Sequence, residues 1–301
     1  MDLVGLKTFC RAVEEGNLTV AAKMLHITKS VASRRIQALE DELKTRLLLR
    51  STRGVTPTDA GTMLYERAVD ILADVEDTVQ SVTCAASDLV GTLRLTAPRS
   101  FTDLDLKKPL TNFMTAHPNL MLELNLTDER MDINGGGYDM GLRITDNLED
   151  SSLIAKRLAA VRTHVVASPA YLKKHGEPKT PEDLKDHPCV FYANLDAAKQ
   201  WNFMGARSAK SVRVHGPLSS NSGTMQLAAV EAGLGVASLP RFFLHSALAS
   251  GKVVEILGDF PRPTRYLYAL YPERRLLPLK VRKLIDFLDA YYTDPKNSDC
   301  L

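Results

Sequence analysis

The stretch from Gly16 to Leu43, GNLTVAAKMLHITKSVASRRIQALEDEL, constrains this chain more than any other, because its apolar residues recur at helical spacing and are interrupted within a few turns. Ahead of it, Leu3, Leu6, Phe9, Cys10 and Val13 recur every three or four residues, which predicts a one-sided helix ended by Glu15-Gly16-Asn17. A second, short helix is expected from about Thr19, with the threonine hydroxyl capping free amides and Ala21, Ala22 and Leu25 on one face. Residues that small let another helix cross closely. His26-Ile27 makes a turn, Thr28 is the next cap, and Ala32, Ile36, Leu39 and Leu43 form the buried stripe of a third helix. Its opposite side then carries Ser30, Ser33, Arg34 and Gln37.

Those side chains suit a duplex groove. Short hydroxyls reach phosphates or bases, an amide pairs with adenine through two bonds, and an arginine fork matches O6 and N7 of guanine. Lys29, beside the positive end of the helix, favours a phosphate. Two helices, a tight turn and a third helix of this polarity read as a helix-turn-helix. The following LLLRSTRGVTP alternates around Gly54, which predicts a two-stranded wing carrying Arg50 and Arg53 toward the sugar-phosphate backbone or minor groove. The expected DNA contacts are therefore Thr28, Lys29, Ser30, Ser33, Arg34, Gln37, Arg50 and Arg53. The bland alternative pairs Arg34 and Arg35 with Glu40 or Asp41 on a solvated helix.

Charge supports the first reading. The whole chain carries only +2, yet residues 23–53 hold eight basic side chains against three acids, and residues 58–90 hold seven acids against Arg67 alone. A basic segment followed by an acidic one fits a nucleic-acid-facing module beside one that is not. The acidic segment reads as one long helix, capped by Thr58 and striped by Ala60, Leu64, Ala68, Ile71, Val75, Val79, Val82 and Ala86. So narrow a stripe on so acidic a helix predicts a coiled-coil seam and hence a dimer. Packing on its own chain is the alternative.

From residue 91 strands alternate with helices, the signature of α/β layers around a largely parallel sheet. Strands are expected at 92–96, 121–126, 138–144, 164–167, near Val190 and at 235–239, and helices at 104–116, 224–232 and 279–292. Ligands bind such sheets beyond the carboxyl ends of strands, where helix starts offer free amides. That principle singles out Ser100, Phe101 and Thr102 after the first strand, Thr127 after the next, Arg143, and Asn221 and Ser222 at a later helix start. Hydroxyls, amides and an arginine in one cleft suit a small anion. Each residue also has a plain reading, as a helix cap or an internal ion pair.

The order of elements and the wording of residues 16–61 resemble the amino-terminal domain of LysR-type transcriptional regulators. The later runs HPNLMLELNLTDERMDI, YDMGLRI, SSLIAKRL, ASPAYLKKHG and EAGLGVASLP extend the resemblance over essentially the whole chain. It implies a winged helix-turn-helix, a long linker helix and a two-lobed effector domain of the type 2 periplasmic-binding-protein-like α/β fold. The expected divisions are residues 1–58, 59–90 and 91–301, with lobe I at about 91–161 and 267–301 and lobe II at about 162–266. It also implies operator DNA, a small effector such as an organic acid, a dimer through the linker helix assembling into a tetramer, and RNA polymerase as partners. Four positions depart from the family's pattern. Lys44, Thr102 and Thr145 stand where glycine is usual, and Leu48 where an aromatic is usual.

Other classes have little support. No run approaches the roughly 18 apolar residues of a membrane span, and the first residues lack an export signal, so a cytoplasmic protein is expected. Seven histidines show no i, i+4 pair, no G-x-S-x-G elbow occurs, and Gly233-Leu234-Gly235 follows a helix, so neither a metal, a cofactor nor catalysis is expected. Two rivals remain: an enzyme on the two-lobed fold with a helical docking module, and a DNA-binding protein sensing oxidation at Cys84 or Cys189.

Overall fold

The structure, a computed structural model, describes residues 2–51, 54–83, 89–129, 132–133, 135–146, 148, 152–193, 199–204, 210–273 and 277–298. The chain divides into two compact units, residues 1–86 and 87–301.

The first unit runs α1 (Leu3–Glu15), α2 (Leu18–Met24), α3 (Lys29–Leu43), β1 (Leu48–Ser51), β2 (Gly54–Pro57) and α4 (Asp59–Thr83). Gly16 ends α1 in the left-handed region at φ 57°, donating its N–H to Val13. The second helix begins earlier than its threonine implied. Asn17 is the cap, its side-chain Oδ1 accepting from the amides of Thr19 and Val20, because an asparagine two residues upstream of Thr19 reaches both free donors. Thr28 caps α3 as expected, accepting from Val31. Lys44 takes the left-handed conformation at φ 52° without a glycine, and α3 ends there.

Leu6, Phe9, Ala12, Leu18, Ala21, Ala22, Ala32, Ile36 and Leu39 make one core with Leu47, Leu48 and Val55 of the wing. Leu43 departs from the expected stripe and stands 41% exposed, since the core ends a turn earlier. The α4 stripe also divides. Ala68 is fully buried and Ala60, Leu64, Tyr65, Val69 and Leu72 pack on this same core, whereas Ile71 and Val79 are exposed. A core of three short helices reaches only the first turns of a 25-residue helix, so the seam reading does not apply to those turns. The side chains of Val82 and Ala86 lie outside the described residues.

The second unit contains two five-stranded sheets. In one, β3 (Gly91–Ala97), β4 (Leu120–Leu126), β5 (Met140–Thr145), β6 (Leu153–Val161) and, from far along the chain, a strand at Arg265–Pro272 run in the order β4-β3-β5-(265–272)-β6. Between β3 and β4 a continuous helix starts at Arg99 (α5, Arg99–Phe101), passes a π-turn at Thr102–Leu106 and continues as α6 (Lys107–Ala116). The other lobe holds β7 (Thr163–Ala167), α7 (Pro169–His175), β8 (Cys189–Tyr192), a hairpin of β9 (Gln200–Phe203) and β10 (Lys210–Arg213), β11 (Leu218–Ser220), α8 (Gly223–Glu231), β12 (Val236–Pro240), α9 (Arg241–Ala249) and β13 (Val254–Ile256). Its sheet order is β11-β8-β12-β7-β13. The chain then returns as β14, the Arg265–Pro272 strand, and ends in α10 (Leu279–Thr293) and α11 (Pro295–Ser298).

Each sheet is largely parallel, as expected. In each, four strands point one way and one, β14 or β7, runs against them, because it is the first strand after the chain crosses from the other lobe. The crossings fall at Arg162 and between Ile256 and Arg265. Phe242 of α9 meets Phe101 edge-on at 5.3 Å, and the Arg241 amide donates to the Arg162 carbonyl, so the lobes touch beside the crossing.

The π-turn has an anchor. Tyr292 donates its hydroxyl to Asp105 at 2.7 Å, and burial pushes the Asp105 carboxyl above the usual carboxylate range. A carboxyl raised on folding contributes most stability below its unfolded pKa and loses it as pH rises through the folded value. Asp105→Asn keeps the acceptor and removes the buried charge. The variant is expected to melt higher than the parent at pH 8 and no higher at pH 3; equal melting at pH 8 would refute this.

Candidate nucleic-acid interface and ligand cleft

On α3 the buried residues Ala32, Ile36 and Leu39 force the other face outward, and Lys29, Ser30, Arg34 and Gln37 are exposed there. Thr28 spends its oxygen on the cap and shares a 2.9 Å contact with the Ser30 hydroxyl. Ser33 is half-buried and accepts a bond from Arg50 Nη1 of the wing at 2.8 Å. The structure thus joins Ser33 and Arg50, which lie seventeen residues apart in sequence. Gln37 donates its amide N–H to Asp41 at 2.8 Å. A carboxylate only accepts, so the amide oxygen of Gln37 faces away from it. Arg53 lies outside the described residues.

Sequence reasoning left Glu40 among the solvated acids, and the structure buries it to 3% exposure. Its Oε1 accepts from the amides of Leu47 and Leu48 at 2.7 and 3.1 Å, tying the end of α3 to the start of the wing. The signal was its place four residues after Ile36, on the core side of the helix.

In the second unit, Ser100 and Thr127 follow the carboxyl ends of β3 and β4, and Arg143 lies on β5 beside β3. The Thr127 amide donates to Ala97, and its hydroxyl accepts from Glu129. Arg143 donates to the carbonyls of Leu142 and Glu129 and more weakly to the Thr96 hydroxyl. Burial lowers its pKa, and the charge of Asp128 opposes that shift. Phe101 belongs to the hydrophobic core at 1% exposure, and the buried Thr102 hydroxyl donates to Pro98. Both are placed by the N-terminal turn of their helix, which rolls them inward while Ser100 stays half-buried.

In the other lobe, Asn221 is exposed, and Ser222 caps α8 by accepting from the Met225 amide. Beside them stands Tyr192 at the end of β8, 41% exposed, where the Ala193 amide donates to Ser220. The Tyr192 phenol is raised by burial and by the charge of Asp128 in the other lobe. Asp128 itself is raised by burial against the pull of the Arg99 amide and guanidinium and of Arg143. Asp128 follows the end of β4 beside Thr127, a place the sequence marks, whereas Tyr192 has no local motif to single it out.

Cys189 is fully buried, and burial pushes its thiol up to about 12, which keeps it protonated and slow to oxidise. Cys84 lies outside the described residues. Among the described residues no three His, Cys, Asp or Glu side chains are placed to hold a metal ion, and no helix is long and apolar enough to cross a membrane.

Comparison with known proteins agrees with this layout. The family described as bacterial regulatory helix-turn-helix protein, lysR family, matches residues 3–62, and the LysR substrate binding domain matches residues 86–292. An HTH-type transcriptional regulator of Haemophilus influenzae is 39% identical over 281 residues, 93% of this chain and 96% of that protein. The HTH-type transcriptional activator TtdR of Escherichia coli K12 is 31% identical over 287 residues, covering 95% and 92%. Among solved structures, the full-length Vibrio cholerae virulence activator AphB superposes with a TM-score of 0.61 at 30% identity, covering 97% of this chain and 99% of that one. CrgA of Neisseria meningitidis gives 0.61 at 26% identity, covering 96% and 98%.

Proposed function

The chain belongs to the LysR-type family of transcriptional regulators, and we propose that it reads its operator through Thr28, Lys29, Ser30, Ser33, Arg34, Gln37, Arg50 and Arg53. The observation that carries this reading is the outward face of α3, where Lys29, Ser30, Arg34 and Gln37 stand exposed opposite a packed Ala32, Ile36 and Leu39. Arg34 reads a base edge, and Lys29 and Arg53 hold phosphates. Two chains pair through the second half of α4, where Ile71 and Val79 are exposed, and two pairs form a tetramer. RNA polymerase is a further partner, and the protein works in the cytoplasm as a regulator and not as a catalyst.

The effector is a small organic acid held between the lobes of residues 91–301. Ser100, Thr127, Asn221 and Ser222 offer hydroxyl, amide and helix-start donors, Arg143 supplies positive charge behind them, and Phe101 and Thr102 back the wall. Closure of the lobes around it shifts the spacing of the DNA-reading heads, which requires different effector affinity in the two arrangements.

The test is a footprint on the DNA upstream of the protein's own gene, with and without a panel of small organic acids. Affinity is expected to fall by about 10³-fold or more between 50 and 200 mM salt, the loss typical of six or more phosphate contacts. At least one acid is expected to change the length of the protected region. Absence of duplex binding at low salt would overturn the DNA reading, and a footprint indifferent to every acid would overturn the effector reading.

A further inference from the structure

A serine hydroxyl on a recognition helix is normally ambiguous. It rotates to donate to guanine O6 or N7, adenine N7 or thymine O4, and equally to accept from cytosine N4 or adenine N6. The contact between Arg50 Nη1 and Ser33 Oγ at 2.8 Å removes part of that freedom. A guanidinium has five N–H donors and no acceptor, so this bond forms in one sense only, with Arg50 donating and Ser33 accepting. A hydroxyl proton turned toward Arg50 would meet another proton. It therefore points elsewhere, strengthened as a donor by the adjacent positive charge; one lone pair stays open, but a base N–H reaching it would stand beside that same charge, which disfavours acceptance.

Arg50 is itself held in place. It faces Val55 across the two-stranded wing, and the strand it occupies starts at the Leu47 and Leu48 amides gripped by Glu40. The guanidinium thus reaches Ser33 from a strand anchored to the far end of the same helix. One turn beyond Ser33, Gln37 presents its amide oxygen away from Asp41. The outward face of α3 accordingly offers a donor at Ser33 and an acceptor at Gln37.

We propose that Arg50 is a positioning residue for sequence reading: it fixes Ser33 as a hydrogen-bond donor, so that Ser33 selects a base edge bearing an acceptor and disfavours cytosine. This rests on the reading that α3 enters the major groove. It adds that a wing arginine, ordinarily counted as a phosphate contact, sets a base preference made by another residue.

The full-length protein is used to select its preferred duplex from a randomised library, and single base-pair variants of that duplex are then titrated. Parent, Arg50→Ala, Arg50→Lys, Ser33→Ala and the double variant Ser33→Ala with Arg50→Ala are compared. The parent is expected to prefer an acceptor edge over cytosine by about tenfold at one base pair, the worth of one good base contact. In Ser33→Ala and in Arg50→Ala that ratio falls to about twofold or less at the same pair, the double variant adds nothing to it, and Arg50→Lys, still purely a donor, restores part of it. If Arg50→Ala instead weakens all duplexes by one common factor and leaves the ratio intact, Arg50 is a phosphate contact and the proposal is overturned. Should Arg50→Ala not fold, an unchanged ratio in Ser33→Ala overturns it as well. A parent that binds no duplex overturns the groove reading and this proposal together, whereas intact parental binding with a uniform loss overturns this proposal alone.

Discussion

Glu40→Ala is expected to destabilise the DNA-binding unit by about 3 kcal/mol, because two buried amides lose their acceptor at once. The Leu47 and Leu48 N–H groups both bond to Glu40 Oε1, and the surrounding core of Ile36, Leu39, Leu47 and Leu48 offers them no polar substitute. Arg46 approaches the second carboxylate oxygen at 3.8 Å but is 71% exposed, so solvent screens most of its contribution. The backbone bonds therefore dominate. A loss of that size is a large part of the stability of a unit this small, and it corresponds to a fall of roughly 15 °C in its melting temperature. Calorimetry of the full chain reads it directly. Glu40→Gln retains an acceptor oxygen and is expected to lose about half as much. Operator affinity should follow the fold, since the strand that Glu40 holds is the one carrying Arg50. Melting of Glu40→Ala within a degree of the parent would show that the amides find another partner and would refute the argument.

Glu40 also marks where sequence reasoning stops. The three-helix pattern was legible because apolar residues at helical spacing dictate burial, and Leu6, Phe9, Ala21, Ala32 and Ile36 all sit in the core. A glutamate at a core position is marked only by its spacing from Ile36, and its residue type reads as solvated. Its partners are two main-chain amides seven and eight residues away, and main-chain amides have no identity in a sequence. Similar reasons explain the caps. Thr28 was readable, whereas Thr19 was preferred over Asn17 although both are good caps, and only the backbone's exit from α1 at Gly16 decides between them.

The proposed cleft rests on position more than on chemistry. Ser100, Thr127, Asn221 and Ser222 follow strand ends, and the topology gathers them by lobe. Phe101 was read into the cleft from its neighbours, but its ring packs with Phe242 and Tyr292. The Asp128 and Tyr192 juxtaposition joins residues 64 positions apart through two sheets, with nothing local to announce it. The largely parallel sheets were legible, but not the single opposed strand in each. That strand, β14 or β7, is the first after a crossing, and its pairing direction depends on which lobe the chain has just left.

Gly61→Ala is expected to destabilise the first unit by about 2–3 kcal/mol, although the same change in an ordinary exposed helix would stabilise it by about 1 kcal/mol. Gly61 lies in the first turn of α4, and a Cβ placed on it would penetrate the Leu47 carbonyl oxygen and come within 3.2 Å of Pro57 Cβ. Neither neighbour is a flexible side-chain end that could swing aside. The Leu47 carbonyl is already committed to the Thr58 amide at 2.9 Å, and the Thr58 hydroxyl caps Gly61 while donating to the Arg46 carbonyl. A methyl group at this point must either break the cap or push α4 off the wing. The helix continues for six further turns beyond the contact, so a small tilt at Gly61 becomes a displacement of several ångströms at its far end. Denaturant unfolding and operator titration of the full chain test both consequences. Binding is expected to weaken about tenfold or more even where folding is restored by low temperature, because, on the pairing proposed through α4, a tilt there misplaces the two heads relative to half-sites set one helical turn apart. A Gly61→Ala protein as stable as the parent, with unchanged operator affinity, would mean that α4 is free to slide on the wing and does not set the geometry of the pair.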